Sequence, residues 1–313
     1  MKGVSMSDQE ARFAAKDFTM GDLNAVVKFL GEEATQRIKS GHPFTLTFLE
    51  EQLRTLFDKN GRRIPEGLTY PVRDPDRSYF LQQPQIDYAQ RLERLKVHFR
   101  ERKLPISPSQ FQDECEGLRE ELAKSEEFAT CANILNGVVL PVVLLPVPHR
   151  GFDYGMVLER VYLSAVERAY KELFPERTFQ NYRKGELARK VSIIDGSRHD
   201  LLVGKLFKGP VIGLFSPNPL QGFSVLAQRE QMATLPQRFS LGGGFDSATA
   251  VTMYPDVLAR DFQTPGYDCA ALSWVDSEYS LCFEANDERL WFDHEVSLGY
   301  AFGSYSGGLF FSR

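Results

Sequence analysis

Cysteine is scarce in this sequence, and the four present, Cys115, Cys131, Cys269 and Cys282, stand far apart. No C-x-x-C pair occurs and no histidine falls at metal-ligand spacing, which excludes a disulfide-stapled secreted scaffold and a zinc-finger-like site. Reduced, buried thiols are the expectation. Basic charge is short as well: 37 Lys and Arg face 42 Asp and Glu, so the net charge is −5. A mild acidic excess offers no general footprint for a phosphate backbone, which makes nucleic acid an unlikely partner. Long apolar runs are absent too. The longest, Val138 to Val147, is too short to cross a bilayer and is broken by Pro141 and Pro146, so no membrane partner is expected. Met1 to Asp17 is polar and lacks the apolar centre of a signal peptide, which makes the cytoplasm the expected location.

What remains is an ordinary globular composition, 42% hydrophobic and 25% charged over 313 residues. The first part reads as helical. Thr19 precedes Leu23, Val26, Val27 and Leu30 at helical spacing, up to Gly41 and Pro43. Thr47 and Glu50 have capping-box spacing before Leu49, Leu53, Leu56 and Phe57. Prolines 65, 71, 75 and 84 mark a long surface loop over residues 58–84. A helix is predicted over 85–103 with Ile86, Ala89, Leu92 and Phe99 inward. Ser107-Pro108 opens another that buries Phe111, Cys115, Leu118 and Leu122.

The second part alternates before it turns to strands. Val138 to Val147 reads as a buried strand, placed at an edge or bulge by Pro141. Asp153 opens a helix with the stripe Val157, Leu158, Val161, Ala165, Ala169 and Leu173. Strands are predicted at Val191–Ile194 and Val211–Phe215, then a helix from Ser224, a strand near Phe239 and a helix near Asp246. From Tyr279 three period-two runs, the last spanning Val296 to Phe302, predict a closing antiparallel meander. The class is α+β: a mainly helical region over 1–130 and a mixed region over 131–313, separable or forming one continuous domain.

Two groups of residues invite chemistry. In Gly242-Gly243-Gly244-Phe245-Asp246-Ser247, glycines between a short apolar segment and a helix let N–H groups converge on an anion, while Asp246 or Ser247 caps the helix. The stretch resembles the S-G-G-x-D-S signature of the PP-loop ATP pyrophosphatases, with matches at Gly243, Gly244, Asp246 and Ser247 and with Gly242 in place of the leading serine. The resemblance implies a nucleotide whose pyrophosphate lies in the glycine loop. A phosphorylated ligand bound there predicts a basic residue such as Arg238 or Lys205 aimed into the same cleft. The resemblance covers this short stretch alone, and as plain chain chemistry the same residues make a tight strand-to-helix turn. Asp195 and His199, after a predicted strand, have the composition of a base and its orienting partner in a hydrolase, and Asp195-Gly196-Ser197 is equally a turn.

Lesser signals are His149-Arg150 with Asp153 as an anion contact, and His294 at a sheet edge. Arg91 to Lys103 and Arg183 to Lys190 are basic stretches that read as solvated faces. Among the 24 phenylalanines, Phe302, Phe310 and Phe311 crowd the C-terminus with Tyr305 and offer a surface for a protein partner. No metal set and no cofactor is named by these residues. The expected function is a non-catalytic interaction or accessory protein, with a phosphate-ligand enzyme at Gly242–Ser247 or a hydrolase at Asp195 and His199 as alternatives.

Overall fold

The computed structural model describes residues 55–313, together with Gln36 and Ser40. The helix expected after Thr19, the Thr47–Glu50 capping box and His42 lie outside the described residues. The described residues from 55 onward form one compact unit. Leu56 and Phe57, expected to close a helix, are not helical: Phe57 forms an antiparallel bridge with Arg63. Asn60 and Gly61 sit in the tight turn that makes this bridge, with Gly61 at φ 79°.

The architecture is α+β. Helix α1 (Tyr88–Phe99) starts at Asp87, whose carboxylate accepts from Gln90 N–H, and stops at Arg100 in a left-handed C-cap. Leu92 and Phe99 are buried as anticipated and Ala89 is exposed, while Arg91, Leu95 and His98 widen the buried face. Arg91 is held inside by several partners. It holds Asp256 at 2.6 and 2.8 Å, donates to the Met253 carbonyl and lies over the Tyr254 ring. The Arg91–Lys103 stretch is therefore not one basic surface, and His98, expected in solvent, is buried. Helix α2 (Pro108–Lys124) carries the full Ser107/Gln110 capping box and buries Phe111, Cys115, Leu118 and Leu122 as its spacing predicts.

Strand β1 (Leu140–Leu144) is an edge strand, the place where Pro141 does least harm. Asp153 then caps α3 (Tyr154–Val157) by accepting from Met156 N–H, and the helix continues through a π-helical turn, Leu158–Leu163, into α4 (Ser164–Leu173). That turn adds residues to the spiral and shifts the inward face. Tyr162 and Leu163 are buried while Val161, predicted to face in, is exposed.

The following elements are β2 (Thr178–Asn181), β3 (Val191–Ile193), α5 (His199–Leu206), β4 (Val211–Ser216), α6 (Val225–Glu230), β5 (Phe239–Leu241), α7 (Gly244–Met253) and α8 (Pro255–Leu258). The last six strands are β6 (Gly266–Asp268), β7 (Leu272–Trp274), β8 (Ser280–Ala285), β9 (Arg289–Glu295), β10 (Tyr305–Gly307) and β11 (Leu309–Ser312). An antiparallel sheet of order β1-β4-β11-β5 packs against α7 and α2. A mixed sheet runs β10-β6-β8-β9-β2, and β3 pairs with β7. The chain steps from one large sheet to the other at Gly308, where a Cβ would lie 2.5 Å from Phe215 Cζ.

The closing strands differ from a three-run meander. β8 and β9 do pair antiparallel, from Ser280↔Glu295 to Ala285↔Leu290. The other side of β9 is taken by β2 in parallel, and residues 296–302 form turns, with Val296 and Tyr300 exposed. The Leu298 carbonyl accepts from Leu226 N–H, which ties this segment to α6 instead of to a ladder.

Candidate functional site

The glycine stretch lies at the centre of the molecule. β5 leads in from the antiparallel sheet, and α7 leaves with every residue from Gly244 to Met253 buried. Each glycine answers a close neighbour. Gly242 N–H donates to the Gly308 carbonyl at 2.7 Å, and its own carbonyl accepts from Ala271 N–H at 3.0 Å. A Cβ on Gly243 would lie 2.4 Å from His199 Cε1, and one on Gly244 would lie 2.8 Å from Leu158 Cδ2.

The first donors of α7 have acceptors within the chain. Gly243 N–H donates to Asp246 Oδ1 at 2.8 Å, so the carboxyl reaches back over its own helix start. Gly244 and Phe245 N–H both donate to the Tyr154 hydroxyl, at 3.0 and 3.2 Å. That hydroxyl has one proton to give, and its remaining neighbour is His199 Nε2 at 2.8 Å. Tyr154 therefore donates to an unprotonated Nε2, and the ring proton belongs on Nδ1. Phe245 is stacked between Tyr154, at 4.0 Å and 5°, and Tyr162, at 4.3 Å and 12°.

Electrostatics follow from this enclosure. His199 and Asp246 are both fully buried. Burial drives the His199 pKa down to about 3, with the Leu241 backbone opposing weakly. Burial also pushes Asp246 up to about 7, against the pull of the Gly243, Asp246 and Ser247 amides. His199 Nδ1 is 4.0 Å from Asp246 Oδ1. Asp246 Oδ2 is buried without a hydrogen-bond partner among the described residues. The arrangement is a polar knot inside an aromatic shell, suited to fixing a helix start.

The sequence candidates are thus sorted by the fold. His199 joins Gly243 and Asp246, two groups that sequence spacing treated separately, while Asp195 is exposed in the turn before α5 and, among the described residues, shares no hydrogen bond with it. Lys205 is spent on Ser312 Oγ and the Arg313 carbonyl, and Arg238 on the Ser312 carbonyl and Glu121, so neither basic side chain is engaged with the glycine turn. Asp153 is occupied by Met156 and Arg189 N–H, and His149 packs edge-on against Phe207. His294 bonds Asp293 and lies against Trp274 and Tyr279. All four cysteines are free and buried.

Residues with no sequence signal also matter. Tyr154 reads only as the residue after a cap. On the mixed sheet, Asp268 is buried and pushed up to about 7, its Oδ2 accepting from Gln228 at 2.7 Å. Burial raises Glu284 as well, and its carboxylate accepts from the Tyr305 hydroxyl. No spacing rule links residues 228, 268, 284 and 305.

At the surface, the loop strap of residues 70–80 is laid over the end of the mixed sheet. Val72 bridges Phe223, Asp76 N–H donates to the Gly303 carbonyl and Phe80 N–H to that of Gln263. Phe80 and Tyr300 are exposed, with Arg73 over Tyr300 and Arg260 over Phe80; Tyr70, Phe262 and Val296 are exposed as well. Tyr300, Phe302 and Tyr305 follow one another at ring distances of 4.6 and 5.7 Å. Among the described residues no helix is long and apolar enough to cross a membrane, and no group of His, Cys, Asp and Glu could hold a metal ion. Comparison with protein-family models, with curated proteins and with solved structures finds no match.

Proposed function

We propose that this chain is a non-catalytic interaction or accessory protein of the cytoplasm, acting through a protein partner. The observation that carries this reading is a pair of exposed arginine–aromatic contacts, Arg73 over Tyr300 and Arg260 over Phe80. Rigid aromatic rings beside guanidinium groups are the side chains that anchor protein interfaces, because they bury large areas at low entropic cost. The glycine turn supports the same reading. Its leading N–H groups are bonded to Asp246 and Tyr154, so a phosphate would have to displace both.

The test compares proteins retained from the native host by the wild type and by Arg73→Glu/Tyr300→Asp, quantified by mass spectrometry. A partner recovered by the first and lost by the folded second supports the reading. Equal recovery by both overturns it. A thermal scan with Mg²⁺-ATP forms the second arm. A ligand at about a hundred times its Kd stabilises by roughly 2.7 kcal/mol, enough to raise Tm by several degrees. No shift is expected, and a shift abolished by Asp246→Ala would move the function to the glycine turn.

A further inference from the structure

Strand β2 ends the mixed sheet, and among the described residues only one of its edges is paired. Its parallel ladder with β9 runs through the even-numbered residues. Thr178 N–H donates to the Glu288 carbonyl at 3.1 Å and Tyr182 N–H to the Phe292 carbonyl at 3.0 Å. In a parallel ladder the intervening residues turn their groups the other way. The N–H and C=O of Phe179 and Asn181 therefore face the open edge, where no group among the described residues bonds them. The other end of the sheet is closed: the Tyr305 carbonyl of β10 accepts from Gly222 N–H at 3.0 Å.

A groove of about 350 Å³ lies along the open edge, between residues Phe179 to Asn181 and a helical wall carrying Arg160, Leu163 and Glu167. The π turn sets that wall. Glu159, next to Arg160, accepts from Gly185 N–H, which brings Lys184 to the same end of the groove. Arg160 and Lys184 are exposed, and neither is in an ion pair among the described residues. Leu163, buried, and Phe179, half-buried, are the apolar residues in a lining that is otherwise polar.

We propose that this groove takes an extended segment of a partner protein as an added strand. An acidic side chain of that segment lies against Arg160 and Lys184 and an apolar one against Leu163 and Phe179. Outward donors and acceptors on alternate residues are matched by an extended backbone and not by a helix. Arg160 and Lys184 at one end of the groove favour an acidic side chain there, while Glu167 further along the same wall disfavours one beside it. The proposal rests on the reading of this chain as an interaction protein, and it names a second surface, apart from Tyr300.

Random linear peptides displayed on phage are selected against the full chain, and the enriched sequences are synthesised and titrated by fluorescence anisotropy. The expected winners carry an acidic residue beside alternating apolar ones. Asn181→Pro removes an outward N–H and leaves the ladder donors of residues 180 and 182. It should weaken binding about tenfold, the equivalent of one lost hydrogen bond. The surface variant Arg160→Glu/Lys184→Glu should do the same without touching the backbone, and bound peptide should slow amide exchange at Phe179 and Asn181. Tyr300→Asp should bind normally. The proposal is overturned when no peptide is enriched over the Asn181→Pro protein, or when binding survives both groove variants. A peptide lost with Tyr300→Asp but retained by the groove variants would overturn it too, while leaving the interaction reading standing.

Discussion

The hydroxyl of Tyr154 lies 2.8 Å from Nε2 of His199 and accepts from the first two amides of α7, so one oxygen joins three segments remote in sequence. Tyr154→Phe keeps the stacked ring and removes that oxygen, leaving two buried N–H groups and one imidazole nitrogen without a partner. Each orphaned buried group costs roughly 1–3 kcal/mol, shared in part through relaxation, and the expected loss is about 3 kcal/mol. Urea denaturation at unchanged m-value measures it. A loss below about 0.5 kcal/mol would mean that the hydroxyl does not fix the helix start.

The knot also shows what local patterning can convey. The turn Gly242–Ser247, its helix and the cap at Asp153 are legible, because glycine tolerance, helix spacing and side-chain capping act within a few residues. That His199 fills the space above Gly243 is not legible, since residues 199 and 243 meet only through sheet order. The inward turn of Tyr162 is hidden for a different reason: a π turn breaks the 3.6-residue period from which the face is read. The run Val296–Phe302 alternates like a strand, yet β9 has already been given β2 as its neighbour, and periodicity carries no information about that competition.

Stability should fall as pH rises from about 4 to about 7. Asp246 and Asp268 are each pushed up from 3.8 to about 7 by burial. A carboxyl whose folded pKa is raised contributes stability that is fully present below the unfolded value. That stability drains away as pH climbs and is gone once pH passes the folded value. His199, lowered from 6.5 to about 3, works in the opposite sense and gains stability between those limits. Between about pH 4 and 6.5 two carboxyls oppose one imidazole, and above 6.5 the carboxyls act alone. Asp246→Asn should flatten the decline by up to about 1.4 kcal/mol per pH unit. Parallel profiles for wild type and Asp246→Asn would show that Asp246 is ionised throughout.

Gly243 and His199 should be energetically coupled. A Cβ on Gly243 has no room beside the imidazole, so Gly243→Ala forces ring or turn to move at a cost of roughly 1–3 kcal/mol. His199→Ala loses the Tyr154 bond but opens the space that the added methyl needs. In a double-mutant cycle the pair should therefore recover about 1 kcal/mol or more relative to the sum of the singles. Simple additivity would place Gly243 and the ring out of contact.

Val275 is the strained point of the surface. It follows β7 with φ 68°, a left-handed conformation that a β-branched side chain resists, and its side chain is 57% exposed. The conformation is imposed from two sides: Val275 N–H donates to the Lys190 carbonyl at 2.7 Å, and Trp274 bridges Asp276 across it. Neither restraint uses the valine methyls. Left-handed backbone costs an ordinary residue roughly 1–2 kcal/mol, and asparagine bears it more easily than most. Glycine removes the strain as well but adds freedom to the unfolded chain, roughly 0.5–1 kcal/mol in the wrong direction. Val275→Asn should therefore raise stability by about 1 kcal/mol in urea, and Val275→Gly by less. If both variants lose stability, the exposed valine makes contacts that outweigh its strain, and the order of the two variants tells strain relief from chain entropy.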